Sequence, residues 1–140
     1  MGEQLTRSSA TELAALLRNG DVSAVEVVTA HLDRIDEIDD HLNAIPCRRD
    51  RADVLADAAR LDELDGPAGP LHGLPVAVKD LQHVAGLPTS HGSPVMPLDP
   101  QPTDGLVASR LRAAGAVIIG KTNTPEWGPA STESLSLIHI

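Results

Sequence analysis

The sequence is poor in aromatic residues, cysteine and lysine. It has no phenylalanine and no tyrosine, so Trp127 is its single aromatic residue and a hydrophobic core must be aliphatic. Cys47 is the only cysteine, which excludes a disulfide bond within these 140 residues. The 11 basic residues include only two lysines, Lys79 and Lys121, so each lysine calls for a specific explanation.

Long apolar runs and an excess of positive charge are also missing. The net charge is -9, whereas nucleic acids and anionic membranes bind basic surfaces, so we expect neither as a partner. No apolar run approaches the length of a membrane span. The opening MGEQLTRSSATEL lacks the apolar segment of a secretory signal, and the cytoplasm is therefore the expected location.

The first part of the chain, residues 8–65, has the sequence pattern of helices. Capping boxes at Ser9 and Ser23 predict two helix starts, Gly20 suits the end of the first helix, and Pro46 is expected to end the second. Apolar residues at three- and four-residue spacing predict the buried faces, and acidic residues are expected on solvated faces. The inward set includes Val28, Leu32, Ile35, Leu42, Leu55, Ala58, Ala59 and Leu64, and the acidic set includes Asp33, Asp36, Asp39 and Asp40.

From residue 71 to residue 128 the pattern changes to strand, loop, helix and strand. LPVAVKD, residues 74–80, predicts a short apolar strand, and AVIIG, residues 116–120, predicts a buried one. A proline-rich loop and a helix led by Asp104 lie between them, with Val107 among its predicted inward residues. Such a crossover usually joins parallel strands, so the predicted fold class is α/β.

The segment GAVIIGKT, residues 115–122, matches the phosphate-loop pattern G-x-x-x-x-G-K-[ST]. That loop needs a flexible backbone that follows a strand and opens a helix. Here the four variable residues form the predicted strand themselves, and three of them are β-branched. Pro125 also disfavours an immediate helix. We therefore expect no nucleotide site and place Lys121 at a strand end.

Lys79 ends the other predicted strand. Ligands and catalytic groups gather at the carboxyl ends of strands in α/β sheets. A lysine that loses part of its hydration there favours its neutral amine, which can act as a base. From position alone, an exposed lysine or one paired with Asp80 explains the residue equally well.

Three histidines, His72, His83 and His91, fall in the same region of the sequence. Their spacing places no two of them on one helical face, and no cluster of acids or thiols accompanies them. They are interpreted as solvated loop residues, and no metal site is predicted.

Two longer segments resemble the amidase signature family. GPLHGLPVAVKDLQHVAGLPTSHGS, residues 69–93, resembles the segment that carries the catalytic lysine of that family. DGLVASRLRAAGAVIIGKTNTPEWG, residues 104–128, resembles the helix and strand that follow it. The resemblance covers about residues 5–134. It implies that residues 1–140 are part of one amidase domain, with N-terminal helices and the first strands of a mixed central sheet covered by helices.

The resemblance implies hydrolysis of an amide C–N bond by a Ser–cis-Ser–Lys mechanism. Lys79 matches the lysine of that triad, which as a neutral amine takes a proton from a bridging serine, and the bridging serine activates the nucleophilic serine. The implied substrate is a small-molecule amide, and the family needs neither a metal nor an organic cofactor. The oligomeric state is not predicted.

The resemblance places both serines and the oxyanion loop in a Gly/Ser-rich stretch beyond the segments quoted above. Ser90 and Ser93 align before the catalytic serines and receive no catalytic role. The tail LSLIHI, residues 135–140, lacks glycine and does not fit that stretch, so we expect it to be non-native, the alternative being a divergent tail. The 140 residues alone are expected to be inactive, because the base has no nucleophile to activate.

Two other functions stay open at this point. The family also includes the amidase-type subunit of the glutamyl- or aspartyl-tRNA amidotransferase, which feeds ammonia to a partner. NTPEWG, residues 123–128, resembles stand-alone amidases more than that subunit, which usually has a Met-Asp-Glu-Phe type of string there. The second alternative is a non-catalytic module that binds a partner through its N-terminal helices.

Overall fold

The computed structural model describes residues 2–128, which form helices packed against a small sheet. The elements are α1 Gly2–Arg7, α2 Ala10–Asn19, α3 Ala24–Leu42, β1 Cys47–Arg48, α4 Arg51–Asp62, β2 Pro75–Lys79, α5 Leu106–Ala113 and β3 Val117–Thr122. The tail 135–140 lies outside the described residues. No helix in the described range is long and apolar enough to cross a membrane, and the cytoplasmic location stays a prediction.

Both predicted capping boxes are present. Glu12 N donates to Ser9 Oγ at 3.3 Å, and Ser9 N donates to the Glu12 carboxylate at 2.7 Å. The box at Ser23 has the same reciprocal bonds, so both helices begin where the sequence predicts. Gly20 closes α2 in the left-handed conformation with φ 73°. α3, in contrast, ends at Leu42 rather than at Pro46, because Asn43 already adopts a left-handed φ of 48°.

Two elements in the N-terminal part were not predicted. α1 precedes the first capping box and packs against α3 through the buried Leu5. β1 has only two residues and pairs antiparallel with β3. Gly120 permits this close pairing, since a Cβ there would lie 2.6 Å from Cys47 O. A strand of two residues is too short to leave an alternating pattern in the sequence.

The strand order is β1-β3-β2, with β2 parallel to β3, so the sheet is mixed. The predicted parallel crossover through α5 is therefore confirmed. The predicted role of Asp104 at the start of α5 is wrong, because the N-cap is Gly105 and has no side-chain bond. Asp104 instead accepts hydrogen bonds from Ala85 N at 2.8 Å and from Arg112 Nε at 2.9 Å, and so fixes the loop before the helix.

Two aliphatic clusters pack on the sheet. The larger joins the helices to Val117 and Ile119 of β3, and the smaller joins Val78, Ala108 and Ile118. Full burial of each such aliphatic side chain contributes about 1.5–3 kcal/mol to folding. The absence of buried aromatic side chains in the described range agrees with the aliphatic core expected from the composition.

Three residues predicted to face inward are exposed. Leu42 and Leu64 are each 50% exposed, and Val107 is 43% exposed. Leu42 is the last residue of α3, and Leu64 lies beyond the end of α4, so neither helix carries them over the core. In α5 it is the smaller Ala108 that contacts the sheet cluster, which turns Val107 outward.

Asp39 was expected on a solvated helix face, but it is only 6% exposed. Its carboxylate accepts hydrogen bonds from Ala44 N at 2.8 Å, Ile45 N at 3.3 Å and Arg48 Nη2 at 3.1 Å. These bonds fix the turn between α3 and β1. The acidic pattern of the helix did not reveal this role, because the partners lie beyond the helix end.

Candidate active site

The carboxyl ends of β2 and β3 lie side by side, and Lys79 is the last residue of β2. Its register partner in β3 is Thr122. The Lys79 side chain is exposed, and within residues 2–128 its ammonium has no hydrogen-bond or ion-pair partner. The amine is therefore accessible to any group that approaches this edge of the sheet.

Asp80 follows Lys79 but lies in a different environment, with 6% of its surface exposed. Its Oδ1 lies 2.5 Å from Lys121 Nζ. Ser90 N donates to the same carboxylate at 3.1 Å, and the Ser90 hydroxyl donates to it as well. The interpretation in which Asp80 pairs with Lys79 is therefore wrong, whereas an exposed Lys79 agrees with the structure.

Lys121 is fully buried in β3. Its ammonium donates to Pro88 O and to Thr89 Oγ1, both at 2.7 Å, and also contacts the Asp80 carboxylate. All three N–H groups of a lysine ammonium are thus used inside the protein. GAVIIGKT consequently forms a strand with a buried lysine, which is incompatible with a phosphate-binding loop.

The loop after β2 and the segment after β3 are joined at several points. Trp127 N donates to His91 O at 2.8 Å, and the two rings stack with centroids 5.6 Å apart. Ser93 Oγ donates to Glu126 Oε1 at 2.6 Å. His91 and Trp127 have φ values of 53° and 59°, which are uncommon for residues other than glycine and occur often near functional sites. We refer to residues 88–93 and 123–128 together as the clasp.

The three histidines noted in the sequence lie in different surroundings. His72 Nδ1 accepts a hydrogen bond from Ala68 N at 3.0 Å, His91 belongs to the clasp, and His83 is exposed. The described part of the chain contains no group of three or more His, Cys, Asp or Glu residues that could hold a metal ion.

Cys47 is the other potential nucleophile near this edge, since it is the register partner of Lys121. Burial raises the pKa of the Cys47 thiol above its ordinary value of 9.0, the Lys121 charge lowers it and the Asp80 charge raises it. The net increase keeps the thiol protonated at neutral pH, and a protonated thiol is a poor nucleophile.

A family model described as Amidase matches residues 26–139, a range that includes both strand ends, Lys79 and Lys121. The chain belongs to the amidase family. The resemblance noted in the sequence and the predicted α/β fold are thereby confirmed. The assignment of Lys79 as a catalytic base stays a prediction.

Individual amidase-family proteins show the same similarity. The amidase-type subunit (the A-type subunit) of the glutamyl-tRNA(Gln) amidotransferase of Salinispora tropica is 44% identical over 135 residues, which cover 94% of this chain and 27% of the relative. An amidase of Pseudomonas putida is 44% identical over 124 residues, covering 88% of this chain and 26% of the relative. The peptide amidase of Stenotrophomonas maltophilia matches with a TM-score of 0.80 and 33% identity, over 93% of this chain and 28% of that one. The chain thus spans about a quarter of the length of these relatives.

The Asp80–Lys121 pair is the part of the site that sequence reasoning missed. Lys121 was placed at a strand end, but β3 continues through Lys121 to Thr122. The available signal was the buried run Ala116–Gly120, which leads directly into one of only two lysines. The partner could not be identified, because Asp80 is 41 positions away in the sequence and is adjacent to the more conspicuous Lys79.

Proposed function

We propose that the protein to which these residues belong hydrolyses an amide C–N bond and that Lys79 is its general base. The observation that carries the proposal is the contrast between the two lysines. Lys121 is buried and fully paired, whereas Lys79 is exposed at the carboxyl end of β2 and has no partner in the described range. Membership of the amidase family supports the reaction class.

In the proposed reaction the neutral Lys79 amine accepts a proton from a bridging serine. The bridging serine accepts the proton of a nucleophilic serine as its oxygen attacks the amide carbonyl carbon. Backbone N–H groups stabilise the oxyanion of the tetrahedral intermediate. When the C–N bond breaks, the leaving nitrogen takes the proton back through the same relay, and the acyl group remains on the nucleophile.

Water then replaces the leaving group in the second half of the reaction. It gives a proton to the relay as it attacks the acyl-serine carbonyl carbon. The serine oxygen recovers that proton when the ester bond breaks, which releases the acid and restores the enzyme. In this proposal both serines come from parts of the protein outside residues 2–128, and a small-molecule amide is the substrate.

The first experiment measures covalent labelling of the complete polypeptide that contains these 140 residues by a fluorophosphonate probe. Lys79→Ala and Lys79→Arg are both expected to reduce the labelling rate by about 10²–10⁴-fold, the usual contribution of a general base. Neither side chain provides a neutral amine, although arginine keeps the positive charge. Arg110→Ala, which removes an exposed basic side chain from α5, is the matched control and should leave the rate unchanged.

Each contrary outcome points to a specific alternative. Wild-type labelling that survives in both Lys79 variants would reject Lys79 as the base. A folded wild-type protein that takes up no label at all would instead favour the non-catalytic binding module.

An amidotransferase A-type subunit is the second candidate, favoured by the 44% identity to the corresponding protein of Salinispora tropica. A stand-alone amidase should release ammonia from a simple primary amide without any other polypeptide. An amidotransferase component should release ammonia from glutamine only when its partner subunits are present. Ammonia release by the purified single polypeptide is the expected result, and strict dependence on another, copurifying polypeptide would assign the protein to the second class.

A further inference from the structure

The buried Asp80–Lys121 pair has no place in the proposed proton relay, yet it lies directly beside Lys79. The Lys121 side chain has no exposed surface, and the Asp80 side chain is 9% exposed. Lys121 has three acceptors, Asp80 Oδ1, Pro88 O and Thr89 Oγ1, at 2.5, 2.7 and 2.7 Å. The carboxylate accepts in addition from the backbone and the hydroxyl of Ser90.

Stability alone does not explain a pair of this kind. The loss of hydration of two buried charges largely offsets their attraction, so apolar residues of similar volume often stabilise a protein as well or better. A buried pair is better explained by what it holds in place. Here the pair determines where the Asp80 carboxylate lies, and Asp80 is the residue next to Lys79.

We propose that Lys121 is a positioning residue for Lys79. By holding the Asp80 carboxylate inside the protein, it prevents that carboxylate from pairing with the neighbouring Lys79 ammonium. This role rests on the proposed function, in which Lys79 must lose its proton before it can act. A carboxylate partner would stabilise the protonated form of Lys79 and so suppress the base.

The other charged groups around the strand ends are already engaged. Thr122, the register partner of Lys79 in β3, carries no charge. On the segments that follow the strands, Glu126 accepts a hydrogen bond from Ser93 and His91 stacks on Trp127. Asp80 is therefore the carboxylate whose release would affect Lys79 most directly.

The test measures the protonation of Lys79 without relying on catalysis. Acetic anhydride acylates neutral amines, so the pH dependence of acetylation at Lys79 reports how readily the amine loses its proton. Mass spectrometry of the peptide that contains Lys79 reads this rate in the full-length protein. The second lysine lies in a different peptide and is fully buried in the wild type, so the two signals do not overlap.

Three forms are compared: wild type, Lys121→Met, and the double variant Asp80→Asn with Lys121→Met. In Lys121→Met the released carboxylate should shift the acetylation midpoint upward by about one pH unit or more, the effect of a nearby opposite charge. In the double variant the carboxylate is gone, so the midpoint should return to the wild-type value. The amide hydrolysis rate should follow the same order, with kcat lowered in the single variant, restored in the double variant, and KM little changed.

The double variant keeps the test decisive if Lys121→Met does not fold, because it leaves no buried charge without a partner. A folded double variant with wild-type kcat and a wild-type acetylation midpoint supports the positioning role. A folded double variant that has lost activity overturns it, as does an unchanged midpoint in a folded Lys121→Met protein. Failure of the proposed function shows separately, as labelling that survives in Lys79→Ala.

Discussion

Lys79 and Lys121 are one register position apart at the ends of two paired strands, yet their environments are opposite. Val78 faces Lys121 across the sheet, and Lys79 faces Thr122. β3 therefore buries its lysine beneath the loop after β2, while β2 delivers its lysine to the surface. At the scale of single residues, a shift of one position separates a structural ammonium from a candidate base.

Gly92 is the residue in the clasp that tolerates least change. Its φ is +69°, and a Cβ there would lie 2.4 Å from Thr124 O. Gly86 provides a matched control, because its φ is +80° but a Cβ would meet no atom within 4 Å. Gly86→Ala should cost only the left-handed strain of about 1–2 kcal/mol. Gly92→Ala should cost about 1–3 kcal/mol more, the usual penalty for forced overlap in a packed region.

Thermal unfolding of the full-length protein, with Trp127 fluorescence as a local reporter, measures this difference. The unfolding temperature should fall further for Gly92→Ala than for Gly86→Ala, and the fluorescence should change only in the former. Equal losses in the two variants would show that the contact between Gly92 and Thr124 does not hold the clasp.

The sequence could locate Lys79 but not its immediate surroundings. An apolar strand ending in a lysine, inside a long family segment, was sufficient to place that side chain at a strand end. The partners of Asp80 and Lys121 depend on how the loop after β2 folds back, which brings Thr89 to Lys121 across 32 positions of sequence. Local patterns carry no information about such long-range contacts.

At the scale of elements, the start of α3 is held by another helix as well as by its own capping box. The Asp62 carboxylate, at the end of α4, accepts from Ala24 N at 2.6 Å and from Val25 N at 3.0 Å. Asp62→Ala should lower the free energy of unfolding by about 1 kcal/mol, the usual cost of losing a helix cap. Asp65→Ala, which removes an exposed acid near the same helix end, is the control and should have little effect.

Urea unfolding monitored by circular dichroism distinguishes these variants. A midpoint for Asp62→Ala equal to that for Asp65→Ala would mean that the capping box alone holds the start of α3. The sequence predicted that box because its bonds are local, at three residues' separation. It could not predict the contribution of Asp62, which comes from 38 positions away.

The scale of the whole molecule is best seen at Asp57, whose carboxylate binds arginines from different parts of the chain. Arg49, which follows β1, lies 2.7 Å away and also donates to Ile118 O in β3. Arg112 of α5 lies 3.4 Å away, and Arg60 belongs to α4 itself. Burial raises the pKa of Asp57, but hydrogen bonds and charges from Arg49 and Arg60 outweigh it, so the pKa lies below its ordinary value of 3.8.

This lowered pKa predicts how stability depends on pH. Because the folded state binds the Asp57 proton less readily than the unfolded state, the stabilisation is complete above the ordinary value of 3.8 and is lost as the pH falls through the lower folded-state value. Asp57→Asn should therefore lower the free energy of unfolding by about 1–3 kcal/mol at neutral pH, the range for hydrogen bonds to charged groups. The gap from wild type should narrow in acid.

The matched control is Asp33→Asn, which removes a carboxylate that is 63% exposed and pairs with Arg51. Exposed ion pairs contribute about 0–1 kcal/mol, so this variant should stay close to wild type at every pH. Unfolding temperatures of the three proteins from pH 7 down to the acid limit of the fold provide the comparison. A constant gap between wild type and Asp57→Asn across that range would show that the carboxylate contributes through packing rather than charge. A gap that closes in acid would instead identify the arginine cluster as an electrostatic link between α4, α5 and the sheet.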